Sequence, residues 1–289
     1  MDRPKLILLC GIPGSGKTYH AKKYIETHQN TIHLSSDAIR AELYGDESIQ
    51  GDPNEVFSLM QKRAVEALNN GQSVVYDSTA MTRKDRSGII AVCPRFVKIE
   101  CHIVWAPIET CIERDAARER TVGREVIDRM LKRMQSPYYD EGIDEINVIY
   151  PYDFDFLSYK IYMYDKMNIE HENPHHKLNV QNHCAVAEWY AIKKSANNDV
   201  VHAAMWHDIG KPYVKSFIDG KGNPCETAHY YQHQCVGAWL AYGISSNPLV
   251  SWLVSSHMEP YFNSKYYNNL PVYLKNMVDQ LHECDLAAH

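Results

Sequence analysis

Apolar and polar positions follow two different rhythms along the chain, and the rhythm changes near its middle. In the first half, short apolar runs alternate with segments of helical spacing. Lys5–Cys10 reads as a buried strand, Lys17–Thr27 as a helix and Thr31–Leu34 as a short strand. Val56–Leu68 has helical periodicity and is stopped by Asn69-Asn70-Gly71, after which Ser73–Tyr76 and Val97–Trp105 are again strand-like. Such alternation predicts an α/β domain with a parallel sheet flanked by helices. In the second half, segments 180–195, 199–209, 231–242 and 248–257, and the stretch from Val272 onward, have helical spacing with no β-rich run between them. This predicts an all-α domain. Between the halves, Tyr138–Tyr164 carries one Lys against six Asp/Glu, and Pro151 interrupts it after the strand-like run Ile146–Tyr150. It reads as the last strand of the first domain followed by a linker, which puts the domains at residues 1–155 and 165–289.

Composition agrees with two soluble domains: the chain has 289 residues, 45% apolar and 23% charged, and a domain takes about 150. The formal charge of −6 excludes a surface that grips polyanions everywhere, while a local basic groove stays open. Leu6–Cys10 is too short for a signal-peptide core or a membrane span, so a cytoplasmic protein without membrane contact is expected. The eight cysteines form no Cys-x-x-Cys pair and read as buried, reduced thiols. No internal repeat or low-complexity tract is visible. One asymmetry sharpens the division. All twelve arginines lie at or before Arg133, whereas eleven of the fifteen histidines lie at or after His171.

The arginine-rich half carries a phosphate motif. Gly11-Ile12-Pro13-Gly14-Ser15-Gly16-Lys17-Thr18 fits G-x4-G-K-[ST] directly after a strand and opening a helix, the setting a P-loop requires. Glycines let successive backbone N–H groups converge on a β-phosphate at the positive end of the helix. Lys17 reaches the β/γ-phosphates and the Thr18 hydroxyl binds Mg²⁺, which implies ATP or another nucleoside triphosphate with Mg²⁺. Asp37 and Arg40 follow the second strand. A carboxylate there can take a proton from an acceptor hydroxyl, and an arginine one turn on can hold an acceptor phosphate; an N-cap aspartate with an exposed arginine fits equally. Asp77 ends a strand, as an Mg²⁺-side or water-orienting carboxylate would, or as a plain turn aspartate would. Arg114 and Arg118 are four apart, on one helix face, in a stretch (83–133) with twelve cations against eight acids. A solvated, salt-bridged helix is the other reading.

In this order the motifs of residues 5–150 resemble the P-loop 5′-OH polynucleotide kinases. The resemblance implies that Lys17 and Thr18 hold ATP and Mg²⁺ together with Gly11, Gly14, Ser15 and Gly16. It makes Asp37 the general base on the polynucleotide 5′-OH, Arg40 the grip on a neighbouring acceptor phosphate and Arg118 the lid arginine on ATP, with Asp77 and Arg114 in supporting positions. Gluconate- and shikimate-type kinases also have arginine-rich lids.

The histidine-rich half contains His207-Asp208-Ile209-Gly210-Lys211-Pro212 after a helical run. Neighbours on a helix point about 100° apart, so an adjacent His and Asp face one cavity only where a helix ends. His183, His233, His257 and Asp285 complete an ordered set, with His175, His176 and His229 as nearby competitors. Imidazole and carboxylate without thiolate suit an exchangeable Mn, Fe, Co, Ni, Mg or Zn site used for hydrolysis. Over residues 170–289 the set resembles the HD phosphohydrolase superfamily, and in its His-Asp-Ile-Gly-Lys-Pro and His-x3-Gly-Ala blocks the HD domains of tRNA nucleotidyltransferases. That likeness implies a first metal on His183, His207, Asp208 and Asp285. It implies a second on His233 and His257 with Asp208 bridging, and Lys211 neutralising phosphate.

Kinase and HD fusions of this kind, in which the HD domain comes first and the order here is swapped, imply healing of nucleic-acid ends before a separate ligase acts. The kinase would phosphorylate a 5′-OH and the HD domain would clear a 3′-phosphate or 2′,3′-cyclic phosphate, with RNA ends favoured over DNA. The competing readings are a small-molecule (nucleoside or sugar) kinase joined to a nucleotidase, and a nucleotide-gated RNA-binding module.

Overall fold

The computed structural model describes residues 3–174 and 177–289 and divides into two compact units. The first comprises the chain up to Met130 together with Pro137–Tyr152, and the second Leu131–Ser136 with Asp153–His289. His175 and His176, two of the competing histidines, lie outside the described residues. No helix among the described residues is long and apolar enough to cross a membrane. All eight cysteines are free thiols, six of them buried.

The first unit is built on five parallel strands: β1 (Lys5–Cys10), β2 (Thr31–Ser35), β3 (Ser73–Asp77), β4 (Lys98–Val104) and β5 (Glu145–Ile149), in the order β2-β3-β1-β4-β5. Leu6–Cys10 is buried along its length because β1 is central and covered on both faces, as an uninterrupted apolar run requires. Helices α1 (Lys17–Thr27), α2 (Ser36–Tyr44), α3 (Pro53–Asn69), α4 (Arg83–Val92), α5 (Ile108–Ala116) and α6 (Arg124–Leu131) fill the connections. Their ends are written in the sequence. Asp52 caps α3 with Pro53 in its first turn, Gly71 follows at φ +77, and Thr82 with Asp85 forms a reciprocal capping box on α4. One face of the sheet packs Ile7, Leu9, Val75 and Val104 against Ala21 of α1.

The second unit is mainly helical: α7 (Phe156–Lys166), α8 (Val180–Lys193), α9 (Asn198–Trp206), α10 (Lys211–Val214), α11 (His233–Ile244), α12 (Pro248–Ser256), α13 (Glu259–Phe262), α14 (Lys265–Asn268) and α15 (Val272–Ala287). Asn179, Asn197 and Asn247 cap α8, α9 and α12 through their side chains. Helix α9 packs on α8, α12 and α15, and α11 packs on α12. Every residue from His233 to Gly243 is buried, so α11 is the core helix of this unit.

Three expectations need correction. The second unit is not all-α, because β6 (Ser216–Ile218) and β7 (Pro224–His229) form an antiparallel hairpin. The side chain of Asp219 closes its turn by accepting from the N–H groups of Lys221 and Asn223, and Gly222 sits at φ +88. The supposed linker contains α7: Asp155 caps it, and Tyr159, Met163 and Met167 are buried at four-residue spacing. Finally, Arg118 does not share a helix face with Arg114. The helix ends at Ala116 because buried Asp115 accepts from the backbone N–H groups of Val122 and Gly123 and draws the chain back.

Candidate active sites in the two units

In the first unit the sequence motifs meet at the carboxyl edge of the sheet, where parallel α/β sheets bind ligands. Parallel register sets Leu9 beside Asp77 and Asp77 beside Ser35, so the ends of β1, β3 and β2 lie side by side. The Gly11–Gly16 loop leaves β1 here. Gly14 has φ +79, and a Cβ on it would lie 2.0 Å from the Cys111 carbonyl oxygen; Gly16, at φ +103, opens α1 without a side-chain cap. The first-turn N–H groups of α1 are therefore available to an anion. The Lys17 ammonium folds over the loop and donates to the carbonyls of Gly11 (2.8 Å) and Ile12 (3.0 Å). Burial lowers its pKa and the nearby Arg118 acts in the same direction, while Asp77 opposes both. The Ser15 hydroxyl is buried with no hydrogen-bond partner. An orphaned hydroxyl, an uncapped helix and a lysine bonded only to loop carbonyls are what a triphosphate would satisfy.

Thr18 donates its hydroxyl to Asp77 Oδ2 (3.1 Å), and His33 Nε2 meets the same oxygen at 3.0 Å. These residues place a hydroxyl and a buried carboxylate where Mg²⁺ would accompany the phosphates. Asp37 is not the cap of α2; Ser35 is, accepting from the N–H groups of Asp37 and Ala38. Asp37 instead stands in the first turn with 53% of its side chain exposed, bonded to Arg40 Nη1 at 2.7 Å, while the Arg40 side chain is only 14% exposed and its Nε has no partner. Arg114 and Arg118 are both exposed. His33 was not anticipated. Its signal is the two-residue period of a strand, which puts His33 on the same face as Ser35.

In the second unit six side chains from five places in the chain converge. His183 comes from α8, His207 and Asp208 follow the end of α9, His233 opens α11, His257 follows α12 and Asp285 lies on α15; all are buried. Gly210 makes this possible, since a Cβ there would lie 2.1 Å from the His233 carbonyl oxygen. The glycine lets the turn after α9 press against the start of α11.

One bonding scheme recurs. Nδ1 of His207, His257 and His233 donates to the carbonyl three residues back, that of Ala204 (2.8 Å), Val254 (2.7 Å) and Tyr230 (2.9 Å), and His183 Nδ1 faces the Ala288 carbonyl (3.3 Å). A carbonyl only accepts, so each neutral ring carries its proton on Nδ1 and turns an Nε2 lone pair inward. The Nε2 atoms then face each other in pairs, His183 to His207 at 3.2 Å and His233 to His257 at 3.1 Å. Asp208 joins the pairs. Its Oδ2 lies 3.6 Å from His183 Nε2 and 3.4 Å from His207 Nε2, and its Oδ1 lies 3.2 Å from His233 Nε2 and 4.0 Å from His257 Nε2. Asp285 Oδ1 meets His183 at 2.9 Å and His207 at 3.4 Å.

Facing lone pairs repel unless positive charge lies between them, and the electrostatics of the cage call for it. Burial works against a charged His207, yet Asp208, Cys184 and Asp285 raise its pKa well above the usual imidazole range. His257 is pushed down to about 3 by burial, His233 and His207, so it stays neutral. Burial disfavours the Asp285 carboxylate, but its bonds to His183, His207 and His289 hold its pKa far below the usual carboxylate range. Lys211 is buried inside the cage, with its ammonium 2.7 Å from Asp208 Oδ2 and 3.0 Å from His171 Nε2. The donor set fits divalent cations, and Asp208 belongs both to the group with His183 and His207 and to the group with His233 and His257. Of the competitors, His229 stacks on Tyr231 and is absent from these groups. His171, which no spacing announced, holds Lys211 from behind.

The five-stranded sheet and its cradle define a kinase-type P-loop domain. Residues 6–137 match the AAA domain family. No curated protein matches the chain. Among solved structures it is similar to a chain of the Pnkp1/Rnl/Hen1 RNA repair complex (22% identity, TM-score 0.42, covering 50% of this chain and 47% of that one). It is also similar to a gluconokinase from Sinorhizobium meliloti 1021 (16%, 0.37, 52% and 85%) and to a fungal RNA kinase (14%, 0.38, 50% and 73%). The chain spans about half the length of the repair-complex chains it matches, 45% and 47%.

Proposed function

We propose that the chain is a bifunctional enzyme that heals broken nucleic-acid ends, RNA in particular. The P-loop unit acts as an ATP-dependent 5′-OH polynucleotide kinase. The helical unit acts as an HD-type, metal-dependent phosphohydrolase on 3′-phosphate or 2′,3′-cyclic phosphate ends. What carries the reading is the coexistence in one chain of a phosphate cradle flanked by Asp37 and Arg40 and a cage in which Asp208 is common to two histidine pairs.

In the kinase, Lys17 and the loop N–H groups would hold the β- and γ-phosphates, and Thr18 and Asp77 would hold Mg²⁺. The acceptor O5′ attacks the γ-phosphorus, the bond to the bridging oxygen of ADP breaks, and the acceptor proton passes to the Asp37 carboxylate. Arg40, whose Nε is unpartnered, grips a neighbouring acceptor phosphate, and Arg118 closes on ATP. In the hydrolase, divalent ions of the Mn, Fe, Co, Ni, Zn or Mg class supply Lewis acidity when bound. The protein's part is to fix four imidazoles through their Nδ1 bonds, to tie the two lobes through Asp208 and to exclude bulk water. Lys211, released from Asp208, neutralises a phosphate oxygen.

A panel of acceptors with γ-labelled ATP tests this directly. Label should enter 5′-OH RNA oligonucleotides in preference to nucleosides or gluconate, and Mn²⁺, Co²⁺ or Ni²⁺ should release phosphate from a 3′-phosphate or open and clear a 2′,3′-cyclic end. Label confined to sugars or nucleosides, with phosphate released only from mononucleotides, would establish the small-molecule kinase and nucleotidase instead.

A further inference from the structure

Outside the six cage residues, a seventh side chain approaches the first histidine pair. His289 lies just beyond the C-cap of α15, four residues after Asp285. Its Nε2 lies 3.6 Å from Asp285 Oδ1, and its ring centroid is 5.1 Å from that of His183. One ligand atom each from His183, Asp285 and His289 lie within 4.8 Å of one another. Donors sharing one ion, each about 2.0–2.2 Å from it, stand about 3–4 Å apart, and the separation from Asp285 falls in that range.

We infer that His289 is an additional ligand of the first metal, making the two lobes of the cage unequal. The first lobe then offers three imidazoles (His183, His207, His289) with Asp208 and Asp285; the second offers His233 and His257 with only the shared Asp208. Imidazole donors favour Fe²⁺, Co²⁺, Ni²⁺ and Zn²⁺ over Mg²⁺. The first lobe is thus the tight, transition-metal-selective one, and the second is the exchangeable one. This inference rests on the reading of the cage as a two-metal centre.

The test is titration of the chelator-stripped full chain with Co²⁺ alone, followed by calorimetry and by the visible absorption of the bound ion. Wild-type protein should bind two ions with unequal affinities. His289→Ala should weaken the tighter step at least about tenfold and change its absorption band, leaving the weaker step in place. His289→Asp, which puts a carboxylate oxygen donor in place of the imidazole nitrogen, should recover part of the affinity. Two ions bound by wild type with an unchanged isotherm and spectrum in His289→Ala would overturn the role of His289 alone. No Co²⁺ bound by wild type would overturn the cage itself and this inference with it.

Discussion

The two units assemble their candidate sites in opposite ways. In the P-loop unit the groups that would meet the ligand are mostly backbone, contributed by the consecutive residues 11–18, and Asp37, the carboxylate proposed as proton acceptor, stands half in water. In the helical unit they are side chains from five separate elements, all buried, around an aspartate that touches both histidine pairs. Water screens Asp37 at little cost. Buried carboxylates and imidazoles must instead neutralise each other, and removing one partner leaves a buried charge uncompensated at about 3–5 kcal/mol. The cradle therefore presents its backbone groups ready-made, whereas the cage balances Asp208 with the Lys211 ammonium and with His207, whose pKa is raised well above the usual imidazole range.

The sharpest way to break this contrast is at Asp208. Asp208→Asn should lower metal-dependent phosphate release by about a thousandfold or more, and it should also destabilise the helical unit by leaving the Lys211 ammonium against a neutral amide; initial rates and thermal unfolding read the two effects. Kinase rates with Mg²⁺ should not change.

Each unit also contains a glycine whose Cβ would strike a carbonyl oxygen hard, at 2.0 Å for Gly14 and 2.1 Å for Gly210. Gly14→Ala should depress kinase kcat/KM by about a hundredfold with phosphate release intact, and Gly210→Ala should do the reverse. A smaller effect separates the units by stability. Chelation should lower the melting temperature of the helical unit, since ions at about 100 times their Kd contribute roughly 2.7 kcal/mol to the folded form, and should leave the unfolding of the P-loop unit in place. A single transition shifted as a whole would show that the units do not unfold independently.

Local signals account for what the sequence disclosed. Lys5–Cys10 and Lys17–Thr27 are elements with the bounds the apolar pattern predicts, because β1 is a continuous buried run and Gly16 marks where α1 begins. The Gly14 and Gly16 conformations are local too, which is why the cradle is legible as a motif. The hairpin β6–β7 was missed because its strands are short and largely exposed, so they carry no apolar alternation, although Asp219-Gly220 marks its turn. Helix α7 hid behind an acidic stretch whose buried positions are Tyr159 and Met163. The end of α5 before Arg118 is set by a side chain, Asp115, binding backbone seven and eight residues ahead, which periodicity does not encode. Of the residues that support the sites from behind, His33 on Asp77 leaves only the two-residue strand period it shares with Ser35, and His171 on Lys211 depends on a tertiary contact that leaves no spacing in the chain.

The central claim, two separate sites acting on the two ends of one break, is tested most directly with a single RNA oligonucleotide bearing a 5′-OH and a 2′,3′-cyclic phosphate. It would be incubated with ATP, Mg²⁺ and Mn²⁺, and both termini resolved by mass spectrometry. Wild-type protein should convert both ends; Lys17→Ala should leave the 5′-OH untouched while clearing the cyclic phosphate, and Asp208→Asn should phosphorylate the 5′ end and leave the cyclic phosphate in place. Wild-type protein that alters neither end, or one variant that abolishes both conversions together, would contradict the account.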